Sequence, residues 1–442
     1  MQNTTIPSQT LSVDPALQHV LATHAAAHAE PGRNATASTD PPSGRVHPVS
    51  GSHVTFLHRI TRSIEQRLRP RVHLLGRSFS AYNLFGLAGM ALAATIALGL
   101  TYVKGLSILL MISLLLVALL LSTIHIVLTV LRTGKDSLVY LRYFLSIMAV
   151  TALLLRILDQ PILPYLENLM LGIGAMQGIG RIGCLRVGCC YGKPARYGIR
   201  YTLLHARAGF PDPLVGVRLF PVQLVESGWI LFSSGVGLTL AATHPIAGYG
   251  FASYLVLFST GRFCLELLRG DTARSYTGRF SEAQWLSLLI VASVVLLEFM
   301  QVLPFAYWHM AIGCGCLLLF LFLQLYYFNT GPAQLKTPES LHALARAIQL
   351  LNKGRQDKLA GAHAVHLRKT AAGLKVSDGL LEHNQAKIHH YTVSYATQHM
   401  PIRDAQTLAR VLHSWHDAEE KSKLIHQNNN TFHILRYQST KS

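Results

Sequence analysis

The chain has 442 residues, 50% of them hydrophobic and only 14% charged, with a formal net charge of +18. Several continuous apolar runs exclude a wholly disordered chain, and their lack of alternation excludes a membrane β-barrel. The positive balance raises nucleic acid as a partner, but no nucleic-acid motif appears and the charge flanks apolar runs. Attraction to anionic phospholipid is the simpler account, so membrane lipid is expected and nucleic acid is not.

Residues 1–52, rich in Ala, Thr, Ser, Pro and His, read as disordered, and no signal-like apolar core follows a short basic start. Between 53 and 69, Val54, Leu57, Ile60, Ile64 and Leu68 recur at helical spacing, with Arg59, Arg62, Arg67 and Arg69 elsewhere. That pattern suits a basic amphipathic helix lying on an anionic leaflet, or a solvated helix of no special role. Residues 1–78 are therefore read as a disordered basic N-terminal tail that carries this helix.

Apolar runs near 79–101, 106–131, 138–158, 163–187, 220–242, 246–268, 283–303 and 305–328 approach or exceed the length that crosses a bilayer. The expected fold is an all-α polytopic membrane protein of about 7–8 transmembrane helices, residues 79–328, with polar and partly disordered tails. Residues 329–442 read as a basic C-terminal tail or a small helical domain holding 11 of the 22 histidines. Within it, Thr337-Pro338-Glu339 looks like a helix start ahead of Leu341, Leu344, Ile348 and Leu351, and a second apolar face runs through Ala405, Leu408, Val411 and Leu412. His389-His390 and His413-x-x-His416 are weak pairs without metal-ligand spacing. Charge divides as +4 over residues 1–77, +7 over 78–330 and +7 beyond.

Three polar clusters interrupt the apolar runs. Gly178–Gly192 carries Arg181, Arg186, three cysteines and five glycines at the end of the fourth run. Arginine at that depth requires an anion or a wet cavity, and glycines let backbone N–H groups approach a ligand; a glycine-packed helix end with snorkelling arginines is the alternative. Gln223 and Glu226 lie one turn apart on the fifth run, and Arg262, Glu266 and Arg269 are spaced as one stripe closing the sixth. The glutamates can neutralise the arginines and leave surplus positive charge for a ligand.

These segments resemble bacterial prolipoprotein diacylglyceryl transferases. The likeness rests on Gly180-Arg181-x-Gly183 with Gly188 and Gly192, Pro221-x-Gln223-Leu224-x-Glu226, Arg262-Phe263-x-x-Glu266-x-x-Arg269-x-Asp271, and Gln284-x-x-Ser287. It covers about residues 79–303. The resemblance implies transfer of a diacylglyceryl group from phosphatidylglycerol to a cysteine thiol of a lipobox-containing precursor, with release of glycerol phosphate, in lipoprotein biosynthesis. It further implies a multi-pass protein of the bacterial inner membrane and no cofactor or metal. Arg181, Arg262 and Glu266 are then the expected catalytic residues. Gly180, Gly183, Gly188, Gly192, Gln223, Glu226 and Arg269 are expected to bind substrate.

The chain also departs from the family. Cys184 and Val187 stand where the family has Asn, Cys189 where it has an acidic residue, and Phe85 where it has the first-helix tyrosine. Its third-helix His-Gly-Gly segment has no counterpart in 138–158. A thiol of pKa about 8.5 reacts as thiolate, so a missing base matters. His125 in the second run is a candidate substitute, or a packed histidine. Cys184 is a candidate nucleophile or redox thiol, or a small packing residue, as are Cys189 and Cys190. The alternative function is a catalytically altered relative that binds phospholipid headgroups or modifies another acceptor.

Orientation conflicts with the resemblance. Arg132, Lys135, Lys193, Arg196, Arg200, Arg207, Arg218, Arg269, Arg274 and Arg279 lie on the motif side, against Lys104 and Arg156 opposite. The positive-inside rule places the motif face and both tails in the cytoplasm, whereas the family is expected to receive secreted precursors outside.

Overall fold

The computed structural model describes residues 46–49, 56–74, 76–133, 140–272 and 274–330, and in the C-terminal region 340, 342–348, 366–370, 374–383, 386–395, 400, 404–406, 408–409, 412, 422–427 and 431–437. The chain divides into two compact units: residues 61–193 with 197–332, and residues 1–60 with 194–196 and 333–442.

Each of the eight apolar runs forms a helix in the first unit. After α1 (Phe56–Arg67) come α2 (Ala81–Val103), α3 (Ile108–Thr133), α4 (Tyr140–Ile157), α5 (Ile162–Val187), α6 (Val222–Thr243), α7 (Tyr249–Glu266), α8 (Glu282–Phe299) and α9 (Tyr307–Thr330). Among the described residues, five of these, α2, α3, α6, α8 and α9, are long and apolar enough to cross a membrane. The described apolar stretch of α4 is shorter, and α5 and α7 carry the ionisable residues. Leu109, Leu116, Leu131, Phe322 and Leu325 are exposed on the unit, as a bilayer-facing surface requires. This unit is a polytopic membrane protein.

Helix α5 is the axis of the bundle, packing against α2, α4, α6 and α7. Its glycines permit this, because lipid gives no hydrophobic drive between helices and close backbone approach supplies the attraction instead. A Cβ at Gly172 would lie 2.6 Å from the Ala93 carbonyl of α2, one at Gly178 2.7 Å from Leu231 of α6, and one at Gly174 2.6 Å from the Tyr254 ring of α7. Helices α6 and α7 meet similarly at Gly237 and Gly250.

The end of the bundle away from the motifs is tied by buried polar groups. Glu167, fully buried at the start of α5, accepts from Lys104 Nζ at 2.6 Å. Its other oxygen accepts the N–H groups of Gly248 and Phe251 at 3.2 and 3.1 Å, capping the N-terminus of α7. A carboxylate there satisfies donors that the helix cannot satisfy itself and complements its dipole. Beside it, His309 of α9 pairs through Nδ1 with Glu298 of α8 and through Nε2 with Ser253 Oγ of α7, the latter at 3.0 Å.

The second unit differs from the expected tail or small helical domain. Its strands β1 (Val46–Val49), β2 (His366–Lys369), β3 (Leu374–His383), β4 (Ala386–Tyr395), β5 (Ser422–Gln427) and β6 (Thr431–Tyr437) form an antiparallel sheet in the order β1-β5-β6-β4-β3-β2. The sheet recruits residues 46–49 from the stretch read as disordered, pairing Val46 with Ile425. Val393 pairs with Phe432 on one side and Val376 on the other, so period-two apolar positions share one buried face. Leu344, Ile348, Ala405, Leu408 and Leu412 cover that face, as the expected amphipathic stretches would. Thr337–Glu339, Leu341, Leu351, Val411, His413 and His416 lie outside the described residues. His390 and His433 hydrogen-bond at 2.7 Å across β4 and β6.

The crossing of α6 and α7 can be tested by adding one methyl group. A Cβ at Gly250 would collide with the Gly237 carbonyl and lie 2.7 Å from Ala241 N, whereas one at Gly235 meets open space. Gly250→Ala should cost about 1–3 kcal/mol and lower the melting temperature in detergent. Gly235→Ala should leave the melting temperature unchanged or slightly raised.

Candidate active site

The three motif segments meet where α5 ends, α6 begins and α7 ends. Helix α5 stops at Gly188, whose φ of +88° is left-handed and whose N–H bonds the Cys184 carbonyl at 2.9 Å. Glycine is required here twice over: a side chain would be strained, and its Cβ would lie 3.0 Å from the Phe210 ring. The chain then runs into a loop held by aromatic contacts, with Tyr201 and Phe210 ring centroids 4.7 Å apart.

Gln223 fastens this loop to the first turn of α6, its Nε2 donating to the Cys189 carbonyl at 2.8 Å and to Tyr201 Oη at 3.2 Å. Backbone bonds join the remaining segment. Gly192 bridges to Arg269, Gly270 N donates to Tyr191 O at 3.0 Å, and Lys193 N donates to Leu268 O at 2.9 Å. Gly192 lies directly against the Phe220 carbonyl, leaving no room for a Cβ.

On this frame the ionisable side chains form one network. Glu226 Oε1 accepts from Arg262 at 2.7 Å and pairs with Arg181 at 3.1 Å. Arg262 also pairs with Glu266 at 3.0 Å, and Glu266 pairs with Arg274 at 2.8 Å. Arg269 grips Asp271 with a two-pronged contact, 2.9 Å on each arm. The side chains of Arg181 and Arg262 are 11% and 12% exposed, so charge attraction is strong but an opening remains. Arg181, Arg262, Arg269 and Arg274 face Glu226, Glu266 and Asp271, which is four positive charges against three negative. One positive charge is left over at the end of an apolar bundle, a setting that attracts an anion.

The expected residues come together with some differences. Arg181, Glu226, Arg262 and Glu266 form the centre. Arg269 does not continue the Arg262–Glu266 stripe, because α7 ends at Glu266, and it turns instead to Asp271. A Cβ at Gly183 would lie 3.1 Å from the Tyr82 backbone and from Phe85 Cβ, Gly188 and Gly192 shape the loop, and a Cβ at Gly180 would meet open space. His125 bonds the Leu121 carbonyl at 3.0 Å and Ser146 Oγ at 3.4 Å, linking α3 to α4. Its hydrogen-bond partners among the described residues lie on α3 and α4.

Arg186 reaches the Arg67 and Arg69 carbonyls at 3.5 and 3.4 Å and lies over the Phe85 ring, 5.8 Å from its centroid. Gln284 caps α8 by a reciprocal pair of bonds with Ser281 and reaches the Phe263 carbonyl at 3.4 Å. Arg274 enters the sequence reading only as loop charge, and Tyr82 does not enter it. Tyr82 sits one turn before Phe85, within electrostatic reach of Arg181 and the three cysteines.

Residues 138–300 match the family described as prolipoprotein diacylglyceryl transferase. A phosphatidylglycerol–prolipoprotein diacylglyceryl transferase 2 of Clostridium perfringens is 36% identical over 132 residues, covering 28% of this chain and 47% of that relative. The transferase of Clostridium tetani is 29% identical over 130 residues, 29% of this chain and 50% of the relative. That of Symbiobacterium thermophilum is 31% identical over 148 residues, 33% of this chain and 54% of the relative. The chain spans about half the length of the curated relatives it matches. The matched span contains Arg181, Glu226, Arg262 and Glu266, and over it the chain is similar to the prolipoprotein diacylglyceryl transferases.

Proposed function

We propose that this protein is a phosphatidylglycerol-dependent diacylglyceryl transferase of lipoprotein biosynthesis, working in the bacterial inner membrane. The observation that carries the reading is the surplus positive charge of the arginine–carboxylate network. A phosphodiester headgroup carries one negative charge and its lipid must present that charge at the end of a bilayer-spanning bundle. Guanidinium groups match phosphate oxygens in pairs and stay charged in apolar surroundings.

In this reading Arg181 and Arg262 clamp the phosphate, and Glu226, shared between them, sets their separation and aim. Glu266 and Arg274 brace Arg262 from behind. The acceptor is the cysteine thiol of a lipobox-containing precursor. Its sulfur attacks the glyceryl carbon, the carbon–oxygen bond to phosphate breaks, and glycerol phosphate departs with the electron pair. The arginines stabilise the charge gathering on that leaving oxygen, which is where fixed donors contribute most to rate.

Purified protein supplied with radiolabelled phosphatidylglycerol and a lipobox peptide should label the peptide. Arg181→Ala and Arg262→Ala should each reduce labelling by about 10²–10³-fold, the usual loss for one donor to a developing anion, while inserting normally. Full activity in both variants would remove the clamp from consideration. Glu226→Ala deprives two buried guanidinium groups of their shared partner, and a loss of about 3–5 kcal/mol should appear as early unfolding in detergent.

A further inference from the structure

The feature that the arginine clamp leaves unused is the cluster of Cys184, Cys189 and Cys190. Their Sγ atoms all lie within 4.8 Å of one another, with Cys184 buried and the other two half-buried. Sequence spacing does not announce this, since Cys-x4-Cys-Cys is not a usual zinc pattern and no metal was expected from it. The backbone makes the cluster. The left-handed turn at Gly188 ends α5, and Cys190 itself adopts a φ of +56°, folding the loop back over the last turn of the helix. A non-glycine residue held left-handed carries strain, and such strain collects where a side chain is aimed for use. The Gln223 bond to the Cys189 carbonyl fixes the loop in that turn.

We propose that these three cysteines hold a zinc ion whose fourth position receives the acceptor thiol; the inference rests on the transferase reading above. Thiolates are soft ligands that select zinc, and three protein ligands with one open position is the arrangement of a working rather than a structural site. Three thiolates around Zn²⁺ carry a net charge of −1. Arg181 and Arg269 lie within electrostatic reach of Cys190. Partial exposure of Cys189 and Cys190 leaves a route for the incoming sulfur.

The site answers a chemical need. Residues 138–158 contain no histidine, and His125 is bonded between α3 and α4, so neither place supplies the clamp with an imidazole base. A thiol that binds zinc loses its proton outright, here to water, and remains a nucleophile. That sulfur forms its bond to the glyceryl carbon as the carbon–oxygen bond breaks. The electron pair of the broken bond leaves on glycerol phosphate, and the thioether, a weaker ligand than thiolate, dissociates from zinc.

The test uses full-length protein purified in detergent under reducing conditions and loaded with cobalt(II) as a spectroscopic substitute for zinc. One equivalent should bind with a thiolate-to-cobalt charge-transfer band. A peptide with a single cysteine should intensify and shift that band, and its serine counterpart should not. Cys184→Ser and Cys190→Ser, checked for native melting, should each weaken metal binding at least tenfold. Absence of a stoichiometric metal in the wild type, or a disulfide among the three cysteines with no metal bound, overturns the site. A band indifferent to the cysteine peptide overturns the acceptor role. Because none of these readings requires lipid transfer, a protein that binds cobalt and peptide but fails to label the peptide disproves the transferase reading alone.

Discussion

Glu226 pairs with two guanidinium groups through a single carboxylate oxygen, and the geometry of the whole motif face depends on that sharing. Arg181 comes from α5 and Arg262 from α7, while Glu226 stands on α6 between them. In surroundings with little water, two like charges can be held close only if a third, opposite charge lies between them. Glu266 and Asp271 repeat the arrangement outward with Arg274 and Arg269. The result is a chain of alternating signs running across three helix ends.

Such a chain needs helices that approach closely and do not slide. Gly172, Gly174 and Gly178 of α5 supply the approach, each seated against a different neighbour. The far end of the bundle prevents sliding, because Glu167 grips Lys104 and caps α7, and His309 links α8 to α7. Both sets of ties converge on α7, which carries Arg262 at its other end. Rigidity at the Glu167 end therefore positions charge at the motif end, several helical turns away.

The eight apolar helices of the first unit are legible in the sequence because their runs are long and bounded by charged or glycine-rich loops. The central four charges are also legible, since ionisable residues in such runs demand partners. Arg269 misleads because spacing at i and i+7 assumes that the helix continues; Gly270 just beyond it is the available stop signal. The C-terminal sheet is missed for another reason. Its alternation, as in Tyr391-x-Val393-x-Tyr395 and Phe432-x-Ile434, is confined to short strands amid polar and histidine-rich sequence, where amphipathic helices give the stronger signal. The cysteine cluster is invisible without backbone angles, because two left-handed residues create it.

The leftover single charge has a consequence for turnover. A phosphodiester brings one negative charge, which the network balances. In the proposed reaction the departing glycerol phosphate is a monoester, approaching two negative charges at neutral pH. Glu226, Glu266 and Asp271 then face one negative charge more than the arginines can match. On that reading the carboxylates that aim the clamp would make the site a poor home for its own product, and expulsion of the spent headgroup would follow from the same charges that capture the lipid.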